Sequence, residues 1–150
     1  MKRLGDEINR LKTMVDLEAR KESEAAQALG ESRRRHDEQA GRLKELRRYQ
    51  QEYQDRYHIL TTDGLRIERM NAYRMFVDRL IGVIRQQENS LQVAAQQLKA
   101  CEANWRQAHA RKEGMEKLLE QRRHEQRTNR ARVEQRISDD RVYRRFEDMV

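Results

Sequence analysis

The sequence predicts an all-α protein, an antiparallel two-helix coiled-coil hairpin whose second helix extends beyond the first. Three observations predict this fold: the composition, two long heptad patterns and one strong turn signal. Charged residues make up 39% of the 150 residues and apolar residues 36%, and there is no proline. Ala, Glu, Lys, Leu and Arg account for about half the chain, which is typical of coiled coils. The apolar content is too low for the core of a compact globular enzyme. Disordered chains are usually rich in proline, so a chain without proline does not have the composition of a disordered one.

The first helix is predicted by a heptad frame that begins at Ile8. Alternate steps of three and four residues lead through Leu11 and Val15 to Leu60, with apolar residues at both ends and a mixed middle. Because side chains at this spacing share one face of a helix, the frame predicts a helix over about 3–58.

The second helix is predicted by a stronger frame, which runs from Met70 to Leu119. Of its fifteen positions, only Gln87 and Lys112 are not apolar. A seven-residue repeat held over this length predicts a left-handed coiled-coil seam. We expect the helix over about 67–138, a mobile tail over about 139–150, and one single domain over 1–150.

The turn is predicted over about 59–66, where two threonines precede Asp63 and Gly64. Asp-Gly is a strong turn signal, and Asp63 or Thr62 is expected to cap the second helix. Folding the chain so that paired positions sum to about 123 places Gln87 opposite His36 at a polar layer. In this register the second helix has no partner after about Leu119, so an Arg-rich overhang follows.

The sequence contains no recognisable set of catalytic residues, and we expect no enzymatic activity, no cofactor and no metal. His124-Glu125 begins like the zinc-protease pattern HExxH, but Thr128 occupies the position of the second histidine. Cys101 and His109 are eight residues apart and diverge by about 80° around a helix, which disfavours a shared metal. A single cysteine and the lack of a secretion-signal pattern predict a cytoplasmic protein.

Two features outside the heptad frames suggest partner surfaces. Tyr49, Phe76, Ile81 and Val83 either widen the seam or form an exposed patch, and we favour the patch because aromatic anchors often dominate binding. The Arg122–Arg136 stretch is either a solvated face or a surface for an acidic protein groove. Its arginines also leave nucleic-acid binding open as an alternative.

Several segments form an ordered set of motifs. The run Tyr49-Gln50-Gln51-Glu52-Tyr53 resembles the YQxEY segment of one family, the FliJ proteins of the bacterial flagellar type III export apparatus. After the turn, residues 70–76 are similar to its N-Y-x-x-F segment with a shift of one residue. Leu80, Ile84, Gln86 and Gln87 continue its L-x3-I-x-Q pattern, and Trp105, Arg111 and residues 115–122 resemble its W…R…LxxLxxR stretch.

The resemblance implies a non-enzymatic central stalk that regulates a FliI-like hexameric export ATPase. It also implies contact with a FlhA-like export gate protein and with export chaperones. We expect a protein that is monomeric alone, is peripherally associated with the inner-membrane export apparatus, does not insert into the membrane and does not bind nucleic acid. The alternatives are the equivalent stalk of a virulence injectisome, an Arg-rich nucleic-acid-binding coiled coil and a self-assembling rod.

The resemblance and the charge pattern together predict two partner-binding surfaces. The surface for the export gate, at the turn end, is expected to comprise Tyr49, Tyr53, Phe76, Leu80 and Val83. The surface for the ATPase, at the end that bears the termini, is expected to comprise Arg122, Arg123 and Arg127.

Overall fold

The structure is a computed structural model, and it describes residues 2–62, 64 and 66–150 as two long helices packed against each other. Helix α1 spans Lys2–Thr62 and helix α2 spans Ile67–Met149. Within these residues there is no β-strand. The structure therefore confirms the all-α helical hairpin that the composition and the heptad patterns predict.

The buried faces of both helices follow the predicted heptad frames. Every frame position from Ile8 to Tyr57 on α1, and from Met70 to Leu119 on α2, is buried or half-buried. Leu60, the last position of the first frame, is exposed. The two frames thus identify the side chains that form the seam. Residues at this spacing lie along one face of a helix, and that face is the one that packs against the other helix.

The turn is shorter than the sequence predicts, because α1 continues to Thr62. The Thr61 hydroxyl donates to the carbonyls of Tyr57 and His58, and the Thr62 hydroxyl donates to the His58 carbonyl at 2.7 Å. Thr62 therefore ends α1 and does not cap α2, so that part of the capping prediction is wrong. Asp63, the other predicted cap, lies outside the described residues.

The turn contains Gly64 with φ of 81°, a left-handed conformation that glycine adopts without a steric penalty. The Arg66 carbonyl then accepts hydrogen bonds from the amides of Arg69 and Met70, at 3.0 and 3.1 Å. These bonds form the first turn of α2.

The predicted register between the helices is wrong by about one seam layer. Gln87 contacts Gln39, not His36, with 2.7 Å between Gln87 Nε2 and Gln39 Oε1. This pair sums to 126 where the prediction requires 123. Since α1 ends at Thr62 and α2 begins at Ile67, the point of reversal lies later in the chain, which shifts every pairing in the same direction.

The packing divides the chain into two units. Unit 1 comprises the chain up to Glu24 together with Arg106–Val150, and unit 2 comprises Ala25–Trp105. In unit 1, Ile8 and Leu11 pack against Leu119, and these core residues are bordered by Leu4, Val15, Met115 and Leu118. In unit 2, the buried apolar residues are Ala25, Leu29, Leu43, Ile84 and Ala94. The prediction that 1–150 is a single domain stays a prediction.

The C-terminal part of α2 differs from the prediction in two ways. The helix does not stop at 138 but continues to Met149, since no glycine or proline follows Gly114. Seam positions Arg122, Gln126 and Asn129 are still half-buried, whereas residues 130–150 are all exposed. The exposed overhang therefore begins at about 130 and not after Leu119; the mobility of 139–150 stays a prediction.

Neither described helix contains a stretch that is both long enough and apolar enough to cross a membrane.

Candidate functional site

An aromatic cluster lies in unit 2 on the turn side of the Gln39–Gln87 layer, and it comprises Tyr53, Tyr57, Tyr73 and Phe76. The Tyr57 and Tyr73 rings stack with centroids 4.4 Å apart and an angle of 14° between their planes. The Tyr53 ring lies 4.5 Å from Phe76 and is tilted by 39°. Aromatic pairs in such arrangements contribute about 0.5–1.5 kcal/mol beyond the area they bury. The cluster therefore holds α1 and α2 together next to the turn.

The Tyr73 hydroxyl donates a hydrogen bond to the backbone carbonyl of Tyr53. Burial, followed by the neighbouring Tyr57 and Tyr53, raises the pKa of Tyr73 above its ordinary value. A phenol in this position remains protonated at neutral pH and can act as a permanent donor. The hydrogen bond thus adds a polar link between the helices inside an otherwise aromatic cluster.

The five residues predicted for the gate surface all lie in unit 2, but the structure separates them into two groups. Tyr53 and Leu80 are half-buried seam residues. Tyr49, Phe76 and Val83 remain 52%, 42% and 47% exposed. Phe76 belongs to both groups, because its ring packs on Tyr53 while part of it faces solvent. Only the second group presents apolar surface to a partner.

Two members of the aromatic cluster, Tyr57 and Tyr73, were not among the predicted site residues. Both occupy heptad-frame positions, so the sequence indicates only that they belong to the seam. Their stacking depends on the register between the helices, which the heptad frames alone do not determine. Further exposed apolar side chains in unit 2 include Ile59, Leu60, Ile67 and Met75.

The three arginines predicted for the ATPase surface lie in unit 1 and differ in how strongly they are engaged. Arg122 Nε is 2.9 Å from Glu7 Oε1 on α1, and Arg122 Nη1 is 3.2 Å from Glu125 Oε2. The hydrogen bond from Arg122 to Glu7, then the one to Glu125, raises the pKa of the guanidinium above its ordinary value. Arg122 therefore joins the two helices as well as carrying charge.

Arg123 and Arg127 make no such contact with α1. Arg127 pairs along its own helix with Glu120 at 3.1 Å, and its side chain is exposed. Arg123 is half-buried and borders a shallow groove of about 480 Å³ that Lys12, Asp16 and Glu116 also line. These two side chains are consequently better placed than Arg122 to exchange their contacts for those of a partner.

A second interhelical link in unit 1 centres on Glu22. Its Oε1 is 3.3 Å from His109 Nδ1, and its Oε2 is 3.2 Å from Lys112 Nζ. Burial by itself would raise the pKa of the Glu22 carboxyl, but the hydrogen bonds and charges of His109 and Lys112 outweigh it. The pKa of Glu22 therefore lies below its ordinary value of 4.5.

The described residues form no group of three or more His, Cys, Asp or Glu side chains suited to a metal ion. What the geometry offers is a set of surfaces for binding other molecules. Exposed apolar side chains occur in unit 2 and, at Val142 and Phe146 for example, in unit 1, and exposed basic side chains occur in both units.

No curated protein and no solved structure is significantly similar to the chain. The family model described as Flagellar FliJ protein, however, matches residues 7–148, which is nearly the whole chain. The match includes most of both helices, the turn and every residue of the two predicted surfaces. The chain is a member of the FliJ family of flagellar proteins.

Proposed function

We propose that this protein is the central stalk and regulator of the hexameric flagellar export ATPase, and that it links the ATPase to the export gate and to export chaperones. FliJ-family membership implies a protein associated with flagellar type III export, and the family is non-catalytic. The observation that carries the proposal is the family match over residues 7–148, on a chain made of two long packed helices.

The distribution of exposed side chains supports a linking role. In unit 2, the seam leaves Tyr49, Phe76 and Val83 exposed, and apolar groups of this kind typically anchor protein partners. In unit 1, α2 presents Arg123 and Arg127, which suit an acidic protein surface. The two surfaces differ in chemistry and belong to different units, as expected for a protein with two different partners.

The proposed place of action is the cytoplasm, at the periphery of the inner-membrane export apparatus. A chain that is 39% charged has a solvated surface over most of its length. Its partners, on this proposal, are a FliI-like ATPase, a FlhA-like gate protein and export chaperones.

The hydrolysis rate of the FliI-like ATPase, measured with and without this protein, tests the regulatory role. We expect the wild-type chain to stimulate hydrolysis and Arg123→Ala/Arg127→Ala to stimulate it less. Arg122 is left in place because its contact with Glu7 is structural. The matched control is Arg33→Ala/Arg34→Ala, which removes the same charge from exposed positions of unit 2. A wild-type chain that does not change the rate contradicts the proposal.

Binding to the cytoplasmic part of the FlhA-like gate protein tests the second contact. Tyr49→Ala/Val83→Ala removes two exposed apolar groups, so we expect weaker binding with an unchanged melting temperature. The control Val133→Ala/Ile137→Ala removes exposed apolar groups from unit 1 and is expected to bind normally. Unaltered binding by Tyr49→Ala/Val83→Ala would mean that the gate protein does not bind at this patch.

A further inference from the structure

Unit 2 contains an open groove of about 500 Å³ between the helices, formed by residues other than those of the aromatic cluster. From α1, the groove is lined by Arg35, Gln39 and Arg42. From α2, its lining combines amide, hydroxyl and apolar side chains: Gln86, Gln87, Asn89, Ser90, Val93, Ala94 and Gln97. None of these residues belongs to the predicted gate or ATPase surfaces. The groove is therefore distinct from both of those surfaces.

The two walls of this groove differ in their chemistry. The α2 wall lies along an uncharged sequence: residues 89–98 contain no Asp, Glu, Lys or Arg, which is the longest such run in the chain. The α1 wall carries Arg35 and Arg42, which are seven residues apart and therefore on one face of the helix, about 10.5 Å from each other.

Neither arginine is strongly engaged within the protein. Arg42 has no ion-pair partner among residues 2–62, 64 and 66–150. Arg35 has only Glu31, at 3.7 Å, and both of those side chains are more than half exposed. Exposed pairs of this kind contribute little, so a ligand carboxylate can replace Glu31 at small cost.

Amide groups line part of the groove, beside Ser90, Val93 and Ala94. Gln87 Nε2 donates to the Gln39 carbonyl at 3.0 Å and to Gln39 Oε1 at 2.7 Å. This leaves the Gln87 amide oxygen and the Gln39 amide nitrogen without protein hydrogen-bond partners within the described residues. Together with Gln86, Asn89 and Gln97, they offer both donors and acceptors to a ligand.

An amide side chain carries the same donor and acceptor types as a peptide group. A bound helix would present few free backbone groups, because its own hydrogen bonds use them. An extended segment presents an N–H and a C=O at every residue, and these match an amide-lined wall. The arginine wall adds a preference for carboxylates, which guanidinium groups bind through charge-assisted hydrogen bonds.

We propose that the groove binds an acidic polypeptide segment in an extended conformation. Arg35 and Arg42 bind its carboxylates, and the amides of Gln39, Gln86 and Gln97 bind its backbone. Recognition by charge and by backbone groups tolerates many sequences, so the groove is a site for a class of unfolded acidic segments.

Fluorescence anisotropy with the full chain tests this site, using a labelled 12-residue peptide of alternating Glu and Ser. We expect Arg35→Gln/Arg42→Gln to weaken binding about tenfold, since each lost carboxylate contact is worth roughly 0.5–1 kcal/mol. Gln86→Ala/Gln97→Ala is expected to weaken it as well. The matched control is Arg33→Gln/Arg34→Gln, which changes the net charge equally on the same helix and is expected to retain wild-type affinity. Circular dichroism verifies that every variant is folded.

Four results would overturn the proposal. An equal loss of affinity in Arg35→Gln/Arg42→Gln and in Arg33→Gln/Arg34→Gln would mean that binding depends only on the net charge of α1. Equal binding of an alternating Gln–Ser peptide would show that the groove does not recognise carboxylates. Equal binding of a helical peptide with the same number of glutamates would show that it does not require an extended conformation. Tighter binding of a 12-residue oligothymidine would assign the groove to nucleic acid. The assay contains neither the ATPase nor the gate protein, so its outcome is independent of the function proposed above.

Discussion

Gln87 on α2 and Gln39 on α1 form a polar layer within the seam of unit 2, with Gln87 Nε2 donating to two oxygens of Gln39. In the register whose paired positions sum to 123, Gln39 would face the apolar side chain of Ile84 and not the Gln87 amide. Buried polar groups without partners are costly, so a layer of this type selects one register among those the heptads permit.

Cross-linking of paired cysteines tests the register directly. In a Cys101→Ser background, Gln39→Cys/Gln87→Cys is expected to react rapidly with a short thiol-to-thiol cross-linker, because these side chains face each other. His36→Cys/Gln87→Cys is the control, and it is expected to react more slowly because its positions are one seam layer apart. Faster reaction of the control pair would mean that the register predicted from the sequence, in which paired positions sum to about 123, is correct.

Tyr73→Phe tests the polar link in the aromatic cluster. The variant keeps the ring that stacks on Tyr57 but loses the hydroxyl that donates to the Tyr53 carbonyl. We expect unit 2 to lose about 1 kcal/mol of stability, the usual contribution of one hydrogen bond. Denaturant unfolding measures the loss, and Tyr73→Leu is expected to cost more because it also removes the stack. Equal stability of Tyr73→Phe and wild type would contradict the role of the hydroxyl.

The same tyrosine links stability to alkaline pH. Because the folded-state pKa of Tyr73 is raised, the stability it contributes is complete below the ordinary tyrosine pKa of about 10 and is lost as the pH rises through the folded value. Absorbance titration of the phenolate, compared between wild type and Tyr73→Phe, is expected to show one tyrosine that ionises later than the others.

Glu22→Gln tests the acid side of the pH dependence. Since the folded-state pKa of Glu22 is lowered, its stabilising effect is present above 4.5 and is lost as the pH falls through the folded value. We expect the melting temperatures of wild type and Glu22→Gln to differ at pH 7 and to converge in acid. Glu24→Gln is the matched control, because Glu24 is exposed on the same helix. A constant difference across the pH range would mean that ionisation of Glu22 is not responsible.

Two truncations locate the end of the seam. Removal of 130–150 deletes only exposed residues and is expected to leave the melting temperature nearly unchanged. Removal of 120–150 also deletes Arg122 and its contact with Glu7 and is expected to lower it. Thermal unfolding followed by circular dichroism compares the two. An equal effect of both truncations would mean that the seam ends at Leu119, as the sequence predicts.

The helical faces could be predicted from the sequence because they depend on local periodicity. A helix turns once every 3.6 residues, so the frames through Ile8 and Met70 identify the buried stripe without knowledge of the partner helix. The family resemblance, carried by Tyr49–Tyr53 and the segments after the turn, was also contained in the residues and is confirmed by the family match.

The pairing between the helices could not be predicted in the same way. A heptad repeat is nearly unchanged when one helix slides by one seam layer, so several registers bury similar apolar surface. Helix α1 continues through Thr61 and Thr62, which moves the reversal of the chain, and that small local difference displaces every contact beyond it.

The fold class, the seam residues and the family of this protein can therefore be predicted from the amino-acid sequence. The contacts of Gln87 with Gln39, of Tyr57 with Tyr73 and of Arg122 with Glu7 become visible only when the two helices are packed together. The physical reason is that helix formation and amphipathicity are set by neighbours within one or two turns. Contacts between residues 16 to 115 positions apart, in contrast, depend on where the chain reverses.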